Sequence, residues 1–401
     1  MFVAYRGYSV ILFAPIAAMG AVLLIDPHLV APMFTGLFMD KMVGFLKLYF
    51  PVFLLGAVFG KLIEISGFSK SIVAATIKVV GAKRAMLSIV LVCALLTYGG
   101  VSLFVVVFAV YPFAAELFRQ SDIPKRLIPG TIALGAFTFT MDALPGTPQI
   151  QNIIPSSFFG TTGWAAPVLG TLGGIFILVL GMAYLEWRRR VAARAGEGYG
   201  AELRNEPEPF RGDKLAHPLI AVLPLLLVGV SNYVFTRLIP GFYGETQSFV
   251  PAVIGNPAPV VQEVAKVAAI WAVQGALLVG IVAVIVFAWK PVFASFAEGT
   301  RSAIGGALLA AMNTASEYGF GAVIAALPGF LVVANALKAI PDPLVNEAIS
   351  VTAMAGITGS ASGGMSIALA AMADSFIANA NAAGIPMEVL HRVAAMASGG
   401  M

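Results

Sequence analysis

Long apolar runs separated by short polar patches dominate the chain, and their lengths set the first expectations. Runs at about 8–25, 43–65, 127–155, 166–187, 217–238, 264–289, 309–331 and 386–401 each approach the ~20 residues of helix that a bilayer core requires. The chain therefore reads as an all-α polytopic membrane protein. Two further apolar stretches are interrupted: 85–118 at Thr97-Tyr98-Gly99-Gly100, and 346–378 across Gly356 to Gly364. Their first arms, Ala85 to Leu96 and Asn346 to Ala355, are too short to cross ~30 Å at about 1.5 Å per residue. Re-entrant hairpins are expected there, with two tight transmembrane pairs as the alternative.

The same order of features occurs twice. Ser66-Gly67-Phe68, closing one span, is matched 262 residues later by Pro328-Gly329-Phe330, and Gly99-Gly100 is matched 264 residues later by Gly363-Gly364. Ile123-Pro124 and Ile385-Pro386 are again 262 apart, while Phe139-Thr140-Met141 precedes Gly399-Gly400-Met401 by 260. Counting spans reverses the orientation between the copies. The pattern predicts inverted-topology repeats, each with a re-entrant hairpin and a broken transmembrane helix. Three parts follow: a first half, 1–155, with hairpin 85–118; connecting helices, 156–301, with a polar loop at 187–214; and a second, inverted half, 302–401, with hairpin 346–378. That second half looks incomplete, since the partner of the stretch from Asp142 to Pro148 would begin where the sequence stops. Inverted repeats with discontinuous helices point to alternating-access transport, with a site near the midplane.

Composition sharpens this picture. Of 401 residues, 59% are hydrophobic and 11% charged, against about 25% charged in a soluble domain. The lipid bilayer is the partner such a surface needs. The 42 glycines and 24 prolines fall inside apolar runs as well as between them, which membrane helices tolerate where freed backbone is buried or lines a cavity. The net charge of +4 forms no continuous basic face, so nucleic acid is excluded as a partner. Basic residues instead crowd short loops. The stretch Trp187 to Lys214, opened by the topology-setting Arg188-Arg189-Arg190, carries seven of them and is placed in the cytoplasm. With that orientation all but six of the 24 Lys and Arg (Lys41, Lys47, Arg237, Lys266, Lys338 and Arg392) are cytoplasmic. Hairpin 85–118 then lies on the cytoplasmic side and 346–378 on the periplasmic side. The first apolar run, Tyr8 to Ile25, has only Arg6 before it and no small-residue cleavage site, so it is not expected to be a cleavable signal peptide, and Cys93, as the single cysteine, is expected to be a buried, inert thiol.

Candidate chemistry collects at the breaks. From Ala143 to Pro155, three prolines and a glycine prevent continuous helical hydrogen bonding. An unwound segment there would present backbone N–H groups, the Thr147 hydroxyl and the amides of Gln149, Gln151 and Asn152 to a polar solute. At the hairpin tips, Gly99, Gly100 and Ser102 precede one helical arm, and Ser360, Ser362, Gly363 and Gly364 precede the other. Glycines admit close backbone approach, and a helix N-terminus suits a carboxylate. Asn313 and Thr314 lead to Glu317, an acid inside a span and therefore the first candidate for proton coupling; Asp142 and His391 are the others. His391 could relay a proton and Arg392 could pair with the anion, while Glu64 is expected to pair with Lys61. His28, His217 and His391 lack metal-ligand spacing, and no phosphate-binding G-x-x-x-x-G-K-[ST] loop or nucleophile–base set is present. Neither an enzyme nor a cofactor is therefore expected.

Four stretches carry a family resemblance: LTYGGVSLFVVVFAVYPFA (96–114), PKRLIPGTIALGAFTFTMDALPGTPQIQNIIP (124–155), NTASEYGFGAVIAALPGF (313–330) and GSASGGMSIALAAM (359–372). Together they resemble the gluconate permease (GntP) family of the ion transporter superfamily, with PGTPQIQNIIP the most specific of them. The resemblance implies a bacterial inner-membrane symporter that takes up gluconate, 3-hydroxybutyrate or another small hydroxycarboxylate with protons, as a homodimer with an elevator-like motion. A sodium-coupled di- or tricarboxylate carrier of the same superfamily is the second reading. Relative to that family the chain looks shortened at both ends, lacking a first apolar helix and a continuation past Met401.

Overall fold

The computed structural model describes residues 6, 8–81, 84–101, 103–200, 215–250, 258–338 and 340–400, with the backbone alone at 104, 333, 334, 337 and 338. The first half holds α1 (Val10–Ile25), α2 (Pro27–Ile65), α3 (Phe68–Val80) and the hairpin arms α4 (Ala85–Tyr98) and α5 (Leu103–Gln120). A broken span follows as α6 (Ile128–Ala136), α7 (Phe139–Asp142) and α8 (Ile150–Phe159). The connection is made by α9 (Pro167–Arg194), α10 (Pro218–Tyr243), α11 (Val264–Phe287) and the short α12 (Trp289–Ala294). The second half repeats the order of the first: α13 (Phe296–Ala326), α14 (Pro328–Lys338), the hairpin arms α15 (Pro343–Thr358) and α16 (Ala361–Ala382), then α17 (Met387–Ser398).

Among the described residues five helices, α2, α9, α10, α11 and α16, are long and apolar enough to cross a membrane. Their outer faces are what a bilayer requires. Leu172 and Phe176 on α9 are 61% and 63% exposed, and Val282 and Val286 on α11 are similarly bare. No water-soluble surface of this extent leaves so many large apolar side chains uncovered. Strand pairing also occurs: Thr246–Phe249 (β1) pairs antiparallel with Val260–Glu263 (β2), Thr246 opposite Glu263, in an exposed ribbon between α10 and α11.

The two halves are inverted with respect to each other, as the packing of their long helices shows. Helices α2 and α13 occupy equivalent places in the repeat and lie side by side. Gly319 of α13 sits against the Phe38 carbonyl near the start of α2, whereas Gly299 sits against Ile65 at its end. Equivalent helices therefore run antiparallel. Glycine at these points lets the two backbones close up, the usual device of packed membrane helices.

Several element limits differ from those the apolar pattern predicts. Helix α2 starts at Pro27 rather than near 43, because the Asp26 carboxylate accepts the His28 N–H at 2.9 Å and opens the helix; a π-helical bulge at Phe34–Phe38 carries it on. Helix α13 starts at Phe296 rather than 309. The second hairpin breaks only at Gly359-Ser360, not from Gly356, and Asp342 caps its first arm by accepting from Leu344 and Val345 N–H, each at 2.9 Å. At about 1.5 Å per residue, the 16 residues of α15 reach ~24 Å and the 22 of α16 reach ~33 Å, so the second arm can cross alone. In the broken span the unwound part is 143–149. Helix resumes at Ile150 and runs through Pro155, which stands five residues into α8.

Candidate functional site

The sequence-predicted residues separate into two groups. The first surrounds the unwound stretch 143–149 and the tip of hairpin α4–α5. At that tip Gly100 has φ +94°, a conformation that costs any residue with a side chain. Its missing Cβ leaves room for Pro148 and Leu277, while Gly99 is pressed against Leu225. The Gln149 amide donates to the carbonyls of Thr97 (2.8 Å) and Val101 (3.2 Å), and the Tyr98 hydroxyl donates to the Pro145 carbonyl (2.8 Å). Tip and unwound stretch are thus one unit. Asn232 of α10 braces it by donating to the Gly146 carbonyl at 3.0 Å. Ser102 falls outside the described residues.

Arg392 on α17 organises the other side of this group. It is fully buried, and all five of its N–H bonds are spent on the protein. They go to the carbonyls of Asp142 (2.9 Å), Gly163 (3.3 Å) and Ala165 (2.8 and 3.2 Å) and to Asn152 Oδ1 (2.9 Å). The expectation that Arg392 pairs with a substrate anion is corrected here: no donor is left for one. Asn152 is consumed likewise, donating to the carbonyls of Thr147 and Gly163 at 2.9 Å each. His391 is wholly buried between Thr161 Oγ1 (2.6 Å) and Asn152 Oδ1 (3.4 Å). Asp142 is 1% exposed, with Oδ1 unpartnered and Oδ2 packed on Gly399. Thr147 Oγ1 and Gln151 Oε1 are also buried without partners. Thr97 Oγ1 at the tip and Trp164 Nε1, packed against Gly146, are likewise buried without partners, so the unused polar capacity of this group is spread over five side chains.

The second group lies where hairpin α15–α16 meets α13. Ser360 caps α16, its hydroxyl accepting the Gly363 N–H at 3.1 Å. The same hydroxyl is within hydrogen-bonding reach of the Glu317 carboxyl. Glu317 is 8% exposed and its Oε2, unpartnered, occupies the space where a Cβ on Gly363 would stand. Thr314 Oγ1 and Ser362 Oγ are 3.4 Å apart beside it, and Asn313 is half-buried on the same helix. Gly364 lies hard against the Ala355 backbone, which is what lets the two arms close. Because α13 begins at Phe296, Glu317 lies well inside its helix rather than near its start. Among the described residues no hydrogen bond joins this group to the first; α8 packs against both α16 and α17 and is the element between them.

Glu347 was not foreseen. It stands in the first arm, α15, is 0% exposed, and neither carboxylate oxygen has a partner. An acid within an apolar hairpin arm was the available signal. Glu64, by contrast, pairs with Lys61 at 2.8 Å, as its spacing predicts. Cys93 is buried and free. A cleft of about 610 Å³, bordered by Arg84, Gln120, Glu186 and Arg189, opens at the base of the first hairpin, away from both groups. Among the described residues no cluster of three or more metal-ligating side chains occurs.

No family model matches the chain. It is 56% identical over 410 residues to the uncharacterized transporter YxjC of Bacillus subtilis (strain 168), in an alignment that takes in 100% of this chain and 86% of that protein. Among solved structures, the YdaH transporter of Alcanivorax borkumensis, reported to have an unusual topology, gives a TM-score of 0.45 at 16% identity, over 94% of this chain and 78% of that one. Identity at this level along the whole length, on a fold of many bilayer-ready helices, places the protein: it is a multi-pass membrane protein and belongs to the transporter family of YxjC.

Proposed function

We propose that the protein carries a small hydroxycarboxylate, of the gluconate or 3-hydroxybutyrate class, across the bacterial inner membrane together with a proton, in keeping with its sequence resemblance to the GntP family. The observation that carries this reading is Glu317. A buried carboxyl with one unpartnered oxygen, set at the N-terminus of a hairpin arm, can take up and release a proton beside a place suited to an anion. Thr147 Oγ1 and Gln151 Oε1 offer further hydrogen bonds for a hydroxylated substrate. The saturation of Arg392 favours a singly charged cargo, held by helix dipole and hydroxyls, over a polyanion.

The test is Glu317→Gln in proteoliposomes. Substrate exchange should persist while accumulation driven by a pH gradient disappears. Unchanged accumulation would remove Glu317 from coupling and leave Asp142 or Glu347 to be tried. Accumulation that needs Na⁺ and ignores the pH gradient would instead favour the sodium-coupled di- or tricarboxylate reading.

A further inference from the structure

The N-terminus of α16 is not empty. Its first N–H groups, those of Ala361 and Ser362, have no acceptor within the helix, and it heads a helix of 22 residues. Onto this end α13 projects a carboxylate. Glu317 Oε2 fills the volume left by the absent side chain of Gly363, with Ser360 on its flank and no hydrogen bond of its own. Any side chain at Gly363 would collide with it. A ligand carboxylate drawn to the same helix end would have to stand in the same place, and two carboxylates at van der Waals distance in a dry site repel strongly.

We propose that the Glu317 carboxylate is the resident anion of this site, occupying the N-terminus of α16 in the substrate-free protein and giving way to the carboxylate of the ligand. The proposal rests on the reading that hairpin α15–α16 contributes to substrate binding, and it adds a mechanism of exclusion. Helix end and acid form an occupied site, so ligand binding and displacement of Glu317 are one event. Gly363 is required because the resident oxygen lies where its Cβ would be.

The probe is formate, the smallest carboxylate, titrated into purified protein at neutral pH and constant ionic strength, with chloride as control and thermal melting as readout. Glu317→Ala vacates the site and should bind formate at least about tenfold more tightly than wild type. Glu317→Gln, which removes the charge but keeps the volume filled, should gain clearly less than Glu317→Ala. Should the alanine variant fail to fold, Glu317→Ser makes the same measurement. Equal formate affinity in wild type and the truncated variant overturns the proposal, as does a gain of the same size in Glu317→Gln. Because melting does not depend on transport, the two readings fail separately. Wild type that takes up no hydroxycarboxylate, with the formate gain intact, rejects the substrate class and keeps the resident anion.

Discussion

Arg392→Met removes all five guanidinium hydrogen bonds to the residues flanking the unwound stretch while keeping most of the side-chain volume. Five hydrogen bonds are lost, but not equally. The Gly163 carbonyl keeps the Gly146 N–H at 2.8 Å and the Asn152 amide at 2.9 Å, and Asn152 Oδ1 keeps His391 at 3.4 Å. The Asp142 and Ala165 carbonyls lose their guanidinium donors outright. At roughly 1–3 kcal/mol for each orphaned buried acceptor, the loss is on the order of 2–6 kcal/mol. Relief from burying a guanidinium offsets part of it, leaving about 3 kcal/mol. At roughly 2 °C per kcal/mol for a chain of this size, Tm in detergent should fall by about 6 °C. Arg392→Lys keeps the charge but cannot span four acceptors, so it should melt between the two. A methionine variant that melts with the wild type would refute the reasoning, because it would mean that the carbonyls of the break do not depend on Arg392.

Other consequences follow from the same contacts. Gly364→Ala drives a Cβ into the Ala355 backbone, which cannot yield as a side chain can; it should cost about 1–3 kcal/mol and expose hairpin α15–α16 to protease, read by limited digestion. Gln149→Leu frees the Thr97 and Val101 carbonyls at the first tip, at a cost of about 1–2 kcal/mol. It should also raise KM for uptake; an unaltered KM would make that tip a packing feature only. Arg126 grips Glu197 with two bonds of 2.6 and 2.7 Å outside the membrane spans and holds its carboxyl below the usual range. Since the folded-state value is the lower one, the contribution is complete above the ordinary carboxylate pKa and fades as pH falls through the depressed value. Both side chains are exposed, so the Tm difference between wild type and Glu197→Gln should be small, and smaller still in high salt or acid.

How much of this was legible in the sequence depends on what kind of signal each feature leaves. Apolar run length locates α9, α10 and α11 closely, because lipid exposure demands unbroken hydrophobicity. The Gly-Gly and Gly-Ser interruptions mark both hairpins for the same reason. Helix starts were less visible. The first turns of α13 carry Glu298, Arg301 and glycines and resemble a loop, yet packing along α2 keeps them helical. Pro155 resembled a breaker but sits within α8, where its ring is buried with its neighbours. The role of Arg392 left no trace, since four of its five bonds go to main-chain carbonyls, which any residue supplies. Glu317 is conspicuous as an acid in a span; Glu347 is equally so, but it stands in a short hairpin arm whose length is the stronger signal.

The central claim is that the protein accumulates a hydroxycarboxylate at the expense of a proton gradient. Uptake of labelled gluconate and 3-hydroxybutyrate into proteoliposomes with an acidic exterior, with and without a protonophore, tests it most directly. The account predicts accumulation of at least one of them above equilibrium, without Na⁺, collapsing when the protonophore is added. Accumulation that survives the protonophore, or uptake of neither substrate, would contradict it.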